Sequence, residues 1–189
     1  PILLRGLKTK TYNLTAVVTV ADDGGSSGRI RQDLDIIAPG DLRNCLVALA
    51  DKEGLMEKLF AHRFGGSGNL SGHSFGNLFI AALIEVLGDV EGAMDATSKV
   101  LKVRGKVIPS SADKILLNAE MVDGTIVQGE SQIPKAHGKI KRVFTTPEHP
   151  RAVQSAVDAI RDADAIVLGP GSLYTSIMPN LCIPDIAAA

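Results

Sequence analysis

The chain has 189 residues, with 20 Lys and Arg against 21 Asp and Glu, for a formal net charge of −1. Hydrophobic residues make up 45% and charged residues 22%, the proportions of one globular domain whose core needs no disulfides. The near-neutral balance, the 4% of aromatics and the absence of Trp argue against a nucleic-acid binder, whether it works by a basic patch or by base stacking. No apolar run approaches the ~18 residues of a membrane span. Residues 1–5 lack a secretory pattern, and Cys45 and Cys182 share no metal-ligand spacing, so reduced thiols and a cytoplasmic location are expected.

Leu3, Leu4 and Leu7, followed by basic residues, predict the tail of a helix. Residues 14–20 are β-branched and nearly continuous, the pattern of a strand buried on both faces. That strand stops at Asp22-Asp23-Gly24-Gly25-Ser26-Ser27-Gly28, a polar, glycine-dense loop, with a short helix expected over 29–34. Asp41 is placed to cap a helix over 42–50. Residues 55–64 are amphipathic, and Gly65-Gly66-Ser67-Gly68 is the most linker-like stretch of the chain. An apolar helix over 78–87 should end at Gly88, with Asp89 capping the next.

After Pro109 the pattern becomes β-rich, predicting an insertion over about 106–146. Residues 115–122 and 125–129 read as a hairpin, with Asp123-Gly124 supplying a type I′ turn. A strand should follow over 139–144, then a helix opened by Pro150. Residues 165–168 predict a short buried strand running into Gly169-Pro170-Gly171-Ser172. The sum is an α/β fold with a mostly parallel sheet, flanked by helices, and a hairpin-containing insertion.

Two buried strands thus run directly into Gly/Ser loops. In open parallel sheets, ligands sit beyond the carboxyl ends of strands, where glycine lets backbone N–H groups approach an anion. Gly169, Gly171, Ser172, Thr175 and Ser176 meet that demand for a phosphate, although a capped glycine turn has the same letters. No Walker lysine accompanies them. Asp22 and Asp23, beside Gly24, Gly25 and Ser26, suit Mg²⁺ as candidate metal ligands, a ribose or base contact, a general base, or a solvated acidic turn. Arg43, with Asp41 and Asn44, offers a fork to phosphate or a surface ion pair. His73, Ser74 and Asn77 cluster where a helix begins. Gly72-His73-Ser74-Phe75-Gly76 has the letters of a nucleophile elbow, but no strand precedes it. The four cations of residues 135–142 lack aromatics and read as a solvated strand edge.

Four segments together resemble one family: residues 19–29, 39–44, 70–77 and 168–176. Their order and spacing are similar to those of the bacterial gluconeogenesis factors, relatives of the 2-phospho-L-lactate transferases of coenzyme F420 synthesis. The resemblance implies a Rossmann-like fold with a nucleotide in the cleft. In the factor branch the ligand would be a uridine diphosphate sugar such as UDP-N-acetylglucosamine, and the role would be regulatory, linking carbon metabolism to cell-wall synthesis and cell shape. The transferase branch implies an enzyme that uses Mg²⁺ to pass a phospho-acyl group, such as 2-phospholactate or its enolpyruvyl counterpart, to a deazaflavin acceptor.

On either pattern Asp22 and Asp23 would serve acceptor or metal, with a catalytic part only in a transferase. Asp41, Arg43 and Asn44 would line the cleft, His73, Ser74 and Asn77 would close it, and the loop from Gly169 to Ser176 would meet a diphosphate. The family's Gly-Gly-Gly-Thr-Gly loop is not in this chain, so the chain is expected to be incomplete at both ends. An unpaired strand edge then makes a homo-oligomer a candidate assembly.

Overall fold

The β-branched run after Leu14 forms strand β1 (Thr15–Val18), which pairs in parallel with β2 (Lys106–Pro109) from Thr15 opposite Lys106 to Val18 opposite Pro109. The computed structural model describes residues 1–51 and 54–189. Parallel strands require a long crossover, supplied here by α2 (Gly25–Leu34), α3 (Gly40–Leu49), α4 (Leu55–Ala61), α5 (Phe75–Leu87) and α6 (Val90–Leu101). A short α1 (Ile2–Leu7) packs on α3. Its Lys8 ammonium donates to the Ala50 carbonyl (2.5 Å), where a cation suits the end of a helix.

The insertion is an antiparallel sheet ordered β4-β3-β5, with β3 at Leu116–Met121, β4 at Ile126–Gln128 and β5 at Ile140–Thr146. After it come α7 (Gln154–Arg161), a wide turn over Leu173–Ile177, α8 (Met178–Leu181) and α9 (Pro184–Ala188). The architecture is the expected α/β one, a parallel sheet with helices packed on it and a β-rich insertion. One continuous cluster of buried side chains links Leu42, Leu46 and Leu49 of α3, Ile80 of α5 and Met94 of α6 to Val107 of β2 and Leu117 of β3. Phe60 is fully buried and meets Phe75 and Phe79 edge-on at 5.9 and 4.9 Å between centroids, which fixes α4 against α5.

Helix punctuation follows the local chemistry. Gly88 ends α5 in the left-handed conformation, and the Asp89 carboxylate accepts from Gly92 N (2.7 Å) to cap α6. On the edge strand β5, Lys141 and Arg142 both bind the Glu120 carboxylate at 2.6 Å, so part of the basic run forms cross-strand ion pairs at the surface.

Several expectations are corrected. Asp41 lies inside the first turn of α3, whose N-cap is Pro39, so its side chain caps nothing. The hairpin turn is not type I′, because Gly124 has a positive φ (+87°) and Asp123 does not. Met121 O accepts from Gly124 N (3.0 Å) and Asp123 Oδ1 from Thr125 N (2.9 Å), the three-residue loop with a left-handed glycine. Residues 165–168 form no ladder, and Ile166, Val167 and Leu168 are 58%, 66% and 67% exposed. An apolar run becomes a buried strand only beside another strand, and the parallel sheet here holds β1 and β2 alone among the described residues.

Candidate functional site

The loop expected after β1 proves to be a helix start. Gly24 is the extended N-cap of α2, with its N–H held by Asp22 Oδ1 (2.9 Å), and Gly25 begins the helix at φ +49°. Close packing explains two further glycines. A Cβ on Gly28 would overlap the Asp23 carbonyl oxygen, and one on Gly40 would overlap Ser27 Oγ. These glycines therefore let α2 and the start of α3 approach Asp22 and Asp23.

Ser26, at the second position of α2, is a hub. Its hydroxyl oxygen accepts from Ser74 N and Asn77 Nδ2, both at 3.2 Å, and lies 3.3 Å from His73 Nδ1. Two donors already point at that oxygen, so the Ser26 O–H is assigned to His73 Nδ1, which leaves the imidazole proton on Nε2. Burial, then the Arg29 cation, lower the His73 pKa and favour the neutral ring. Asn77 also donates to Ser27 Oγ (3.4 Å), and its Oδ1 accepts from Arg43 Nε (3.1 Å). Ser26, Arg43, His73, Ser74 and Asn77 are all buried.

The apparent linker is what delivers His73 and Ser74. Phe64 N donates to His73 O (2.9 Å), Gly72 N to Phe64 O (2.8 Å) and Ser71 Oγ to Gly66 O (2.6 Å). Arg63 and Ser74 form an antiparallel bridge, and Ser74 Oγ donates to Phe60 O (3.2 Å). Residues 65–68 are thus the tip of a hydrogen-bonded loop rather than a linker.

An acidic end lies beside this network. The two neighbouring aspartates do different work: Asp22 holds Gly24, whereas Asp23 Oδ1 accepts from Ser131 N (2.8 Å) and ties the insertion to the main sheet's loop. Burial first, then the Asp22 charge, push the Asp41 carboxyl above the ordinary range, while the amide of Asn44 and the cation of Arg43 pull it back. Glu130, absent from the sequence reading, is raised by burial and by Asp22, Asp23 and Asp41, against a lowering contact from the Thr175 hydroxyl. No spacing marks Glu130, because the groups it feels lie in the loop before α2, at the start of α3 and in the last loop.

The second Gly/Ser loop is only partly joined to this cluster. Gly169 turns at φ +102°, and Ser172 Oγ accepts from Thr175 N (3.4 Å) to cap the Leu173–Ile177 turn. Thr175 is buried and meets Glu130. Gly169, Gly171 and Ser172 are exposed, Ser176 is half-buried, and among the described residues no hydrogen bond ties them to Ser26, His73 or Arg43.

A family model described as 2-phospho-L-lactate transferase CofD matches residues 1–189. The chain belongs to the CofD family. Among the family's curated proteins, it is 58% identical over 188 residues to the gluconeogenesis factor of Halalkalibacterium halodurans, covering 100% of this chain and 58% of that protein. It is 56% identical over 185 residues to the gluconeogenesis factor of Bacillus subtilis, covering 98% of this chain and 58% of that one. The X-ray structure of a Bacillus halodurans protein superposes with a TM-score of 0.96 at 58% identity, covering 99% of this chain and 60% of that chain. The chain therefore spans a little under three-fifths of the length of these curated relatives.

CofD membership brings Mg²⁺ into question as a transferase cofactor, and the donor set answers in part. Mg²⁺ needs one or two carboxylates and completes its shell with water or phosphate oxygens. Asp22 keeps its Oδ2 toward Gly40 at the start of α3, near the repelling carboxyl of Asp41, whereas Asp23 Oδ1 accepts from Ser131 N and its Oδ2 faces the Gly129 turn. Of the two candidate cation ligands in this CofD chain, Asp22 and Asp23, each thus has one carboxylate oxygen already accepting a backbone N–H. Among the described residues, no group of three or more His, Cys, Asp or Glu is arranged to hold a metal alone. No described helix is long and apolar enough to cross a membrane.

Proposed function

We propose that the chain is the ligand-binding part of a non-enzymatic regulator that takes a nucleotide sugar, with UDP-N-acetylglucosamine as the ligand. Through it the protein would link carbon metabolism to cell-wall synthesis and cell shape. The Ser26–His73–Asn77–Arg43 network carries this reading. It gathers donors and a buried guanidinium beyond the carboxyl end of a parallel strand, where such folds receive nucleotides. It supplies no activated nucleophile, because the Ser26 oxygen is buried and already accepts two hydrogen bonds. The gluconeogenesis-factor names of the relatives add support. Calorimetric titration with UDP-N-acetylglucosamine should show binding at or below millimolar ligand, weakened at least tenfold by Arg43→Lys, and no binding at millimolar ligand would overturn the proposal.

A phospho-acyl transferase is the second reading, favoured by one observation. Burial first, and then neighbouring carboxylates, raise the pKa of both Asp41 and Glu130, and a cation would relieve the repulsion part. In that case Asp22, with Asp23 or Asp41, would hold Mg²⁺, which would supply charge neutralisation to a phosphate-bearing donor. A guanosine diphosphate ligand that binds only with Mg²⁺, and loses it on Asp22→Asn, distinguishes this reading from the first.

A further inference from the structure

Three arginines surround the loop that delivers His73. Arg29 Nη2 donates to Ser71 O (2.8 Å), Arg63 Nη1 to Gly72 O (3.0 Å) and Arg43 Nε to Asn77 Oδ1 (3.1 Å). The first two meet consecutive carbonyls of one turn, where Gly72 has φ +77° and the Arg29 fork lies 3.1 Å from the position a Gly72 Cβ would take. The third lies against Gly76, whose added Cβ would stand 2.8 Å from Arg43 Cδ. Burial and then the Arg63 charge lower the Arg43 pKa, which places these two cations within electrostatic reach of each other.

None of the three forms a salt bridge with a carboxylate among the described residues. The nearest acids felt here are Asp22 and Asp41 for Arg43, and Asp33 for His73. Each guanidinium spends one N–H on the protein and keeps further donors of its fork free. Bracing a loop does not require two like charges on one turn with a third beside it, and like charges held together cost free energy unless an anion joins them.

We propose that Arg29, Arg43 and Arg63 form a receptor for a diphosphate, the anionic part of the ligand at this site. A planar fork matches phosphate oxygens in a bidentate way, and the neutral His73 Nε2–H adds a donor without charge. The assignment rests on the reading that this network is a ligand site, and not on the identity of the base or sugar. It places the anion at the loop from Ser71 to Asn77, away from the exposed Gly169 turn.

Inorganic pyrophosphate titrated calorimetrically into the protein tests it, beside a parallel titration with UDP-N-acetylglucosamine. Arg29→Ala and Arg63→Ala should each weaken pyrophosphate at least fivefold, and the double variant more, with melting temperatures within a few degrees of the parent. Arg63→Lys, which keeps a donor for Gly72 O, should recover part of the loss if loop bracing is intact. Arg142→Ala, on the distant edge strand, should leave the affinity unchanged. Absence of pyrophosphate binding, or equal affinity in the double variant, would overturn the receptor. Arginine-dependent pyrophosphate binding without nucleotide-sugar binding upholds the receptor and removes the UDP-sugar reading. Nucleotide-sugar binding that ignores both arginines does the reverse.

Discussion

Asp41 carries a carboxyl that costs stability at its place in the fold. Its carboxyl is raised first by burial and then by Asp22. A group whose folded pKa lies above its unfolded value holds its proton more tightly in the native state, so stability falls as pH rises from the ordinary aspartate range, about 4, through the folded pKa. Above the folded pKa the cost is complete. Asp41→Asn should therefore raise the melting temperature at pH 7, with the gain vanishing below about pH 4, and thermal melts across that range check it. A gain that persists at low pH would place the effect elsewhere. At this scale the sequence exposed Asp22, Asp41, Arg43, His73, Ser74 and Asn77 as chemistry-bearing letters in glycine-rich surroundings. It did not expose Glu130, Arg29 or Arg63, because their roles depend on partners across the fold: Arg29 meets Ser71, and Glu130 meets Thr175.

Among the elements, α2 governs the site. Its first turn carries Ser26, and its fit against the loop that leads out of β1 depends on Gly28 having no side chain. Gly28→Ala puts a methyl group into the Asp23 carbonyl, and overpacking of that kind costs about 1–3 kcal/mol. For a chain of this length that corresponds to a fall in melting temperature of roughly 2–4 °C per kcal/mol. Calorimetric melts should find that fall, and an unchanged melting point would show that α2 shifts freely. The elements whose signals are local were legible: α5 and α6 with Gly88 and Asp89 between them, and the hairpin around Gly124. The segment at 165–168 was not, since burial of a strand is a property of its neighbours. Gly25 and Gly28 look like loop residues in the sequence because their helical role comes from a positive φ at Gly25 and close packing at Gly28, which no periodicity records.

Across the whole molecule, the crossover between two parallel strands brings residues 26, 43, 73 and 77 to one place, while the insertion reaches back through Ser131 and Glu130. The sequence resemblance anticipated the family from four spaced segments, and the family model and the 58% identical relative bear it out. Physical spacing alone stopped at two phosphate-suited loops, and the structure ranks them: the one at α2 is built into a buried network, and the one at Gly169 is mostly exposed. The central claim is that the ligand enters at α2 and the loop before α5. A crystal of the protein soaked with UDP-N-acetylglucosamine tests this most directly. The account predicts diphosphate density within hydrogen-bond distance of Arg43 and the His73 loop, and density seated only on the Gly169–Ser176 turn would contradict it.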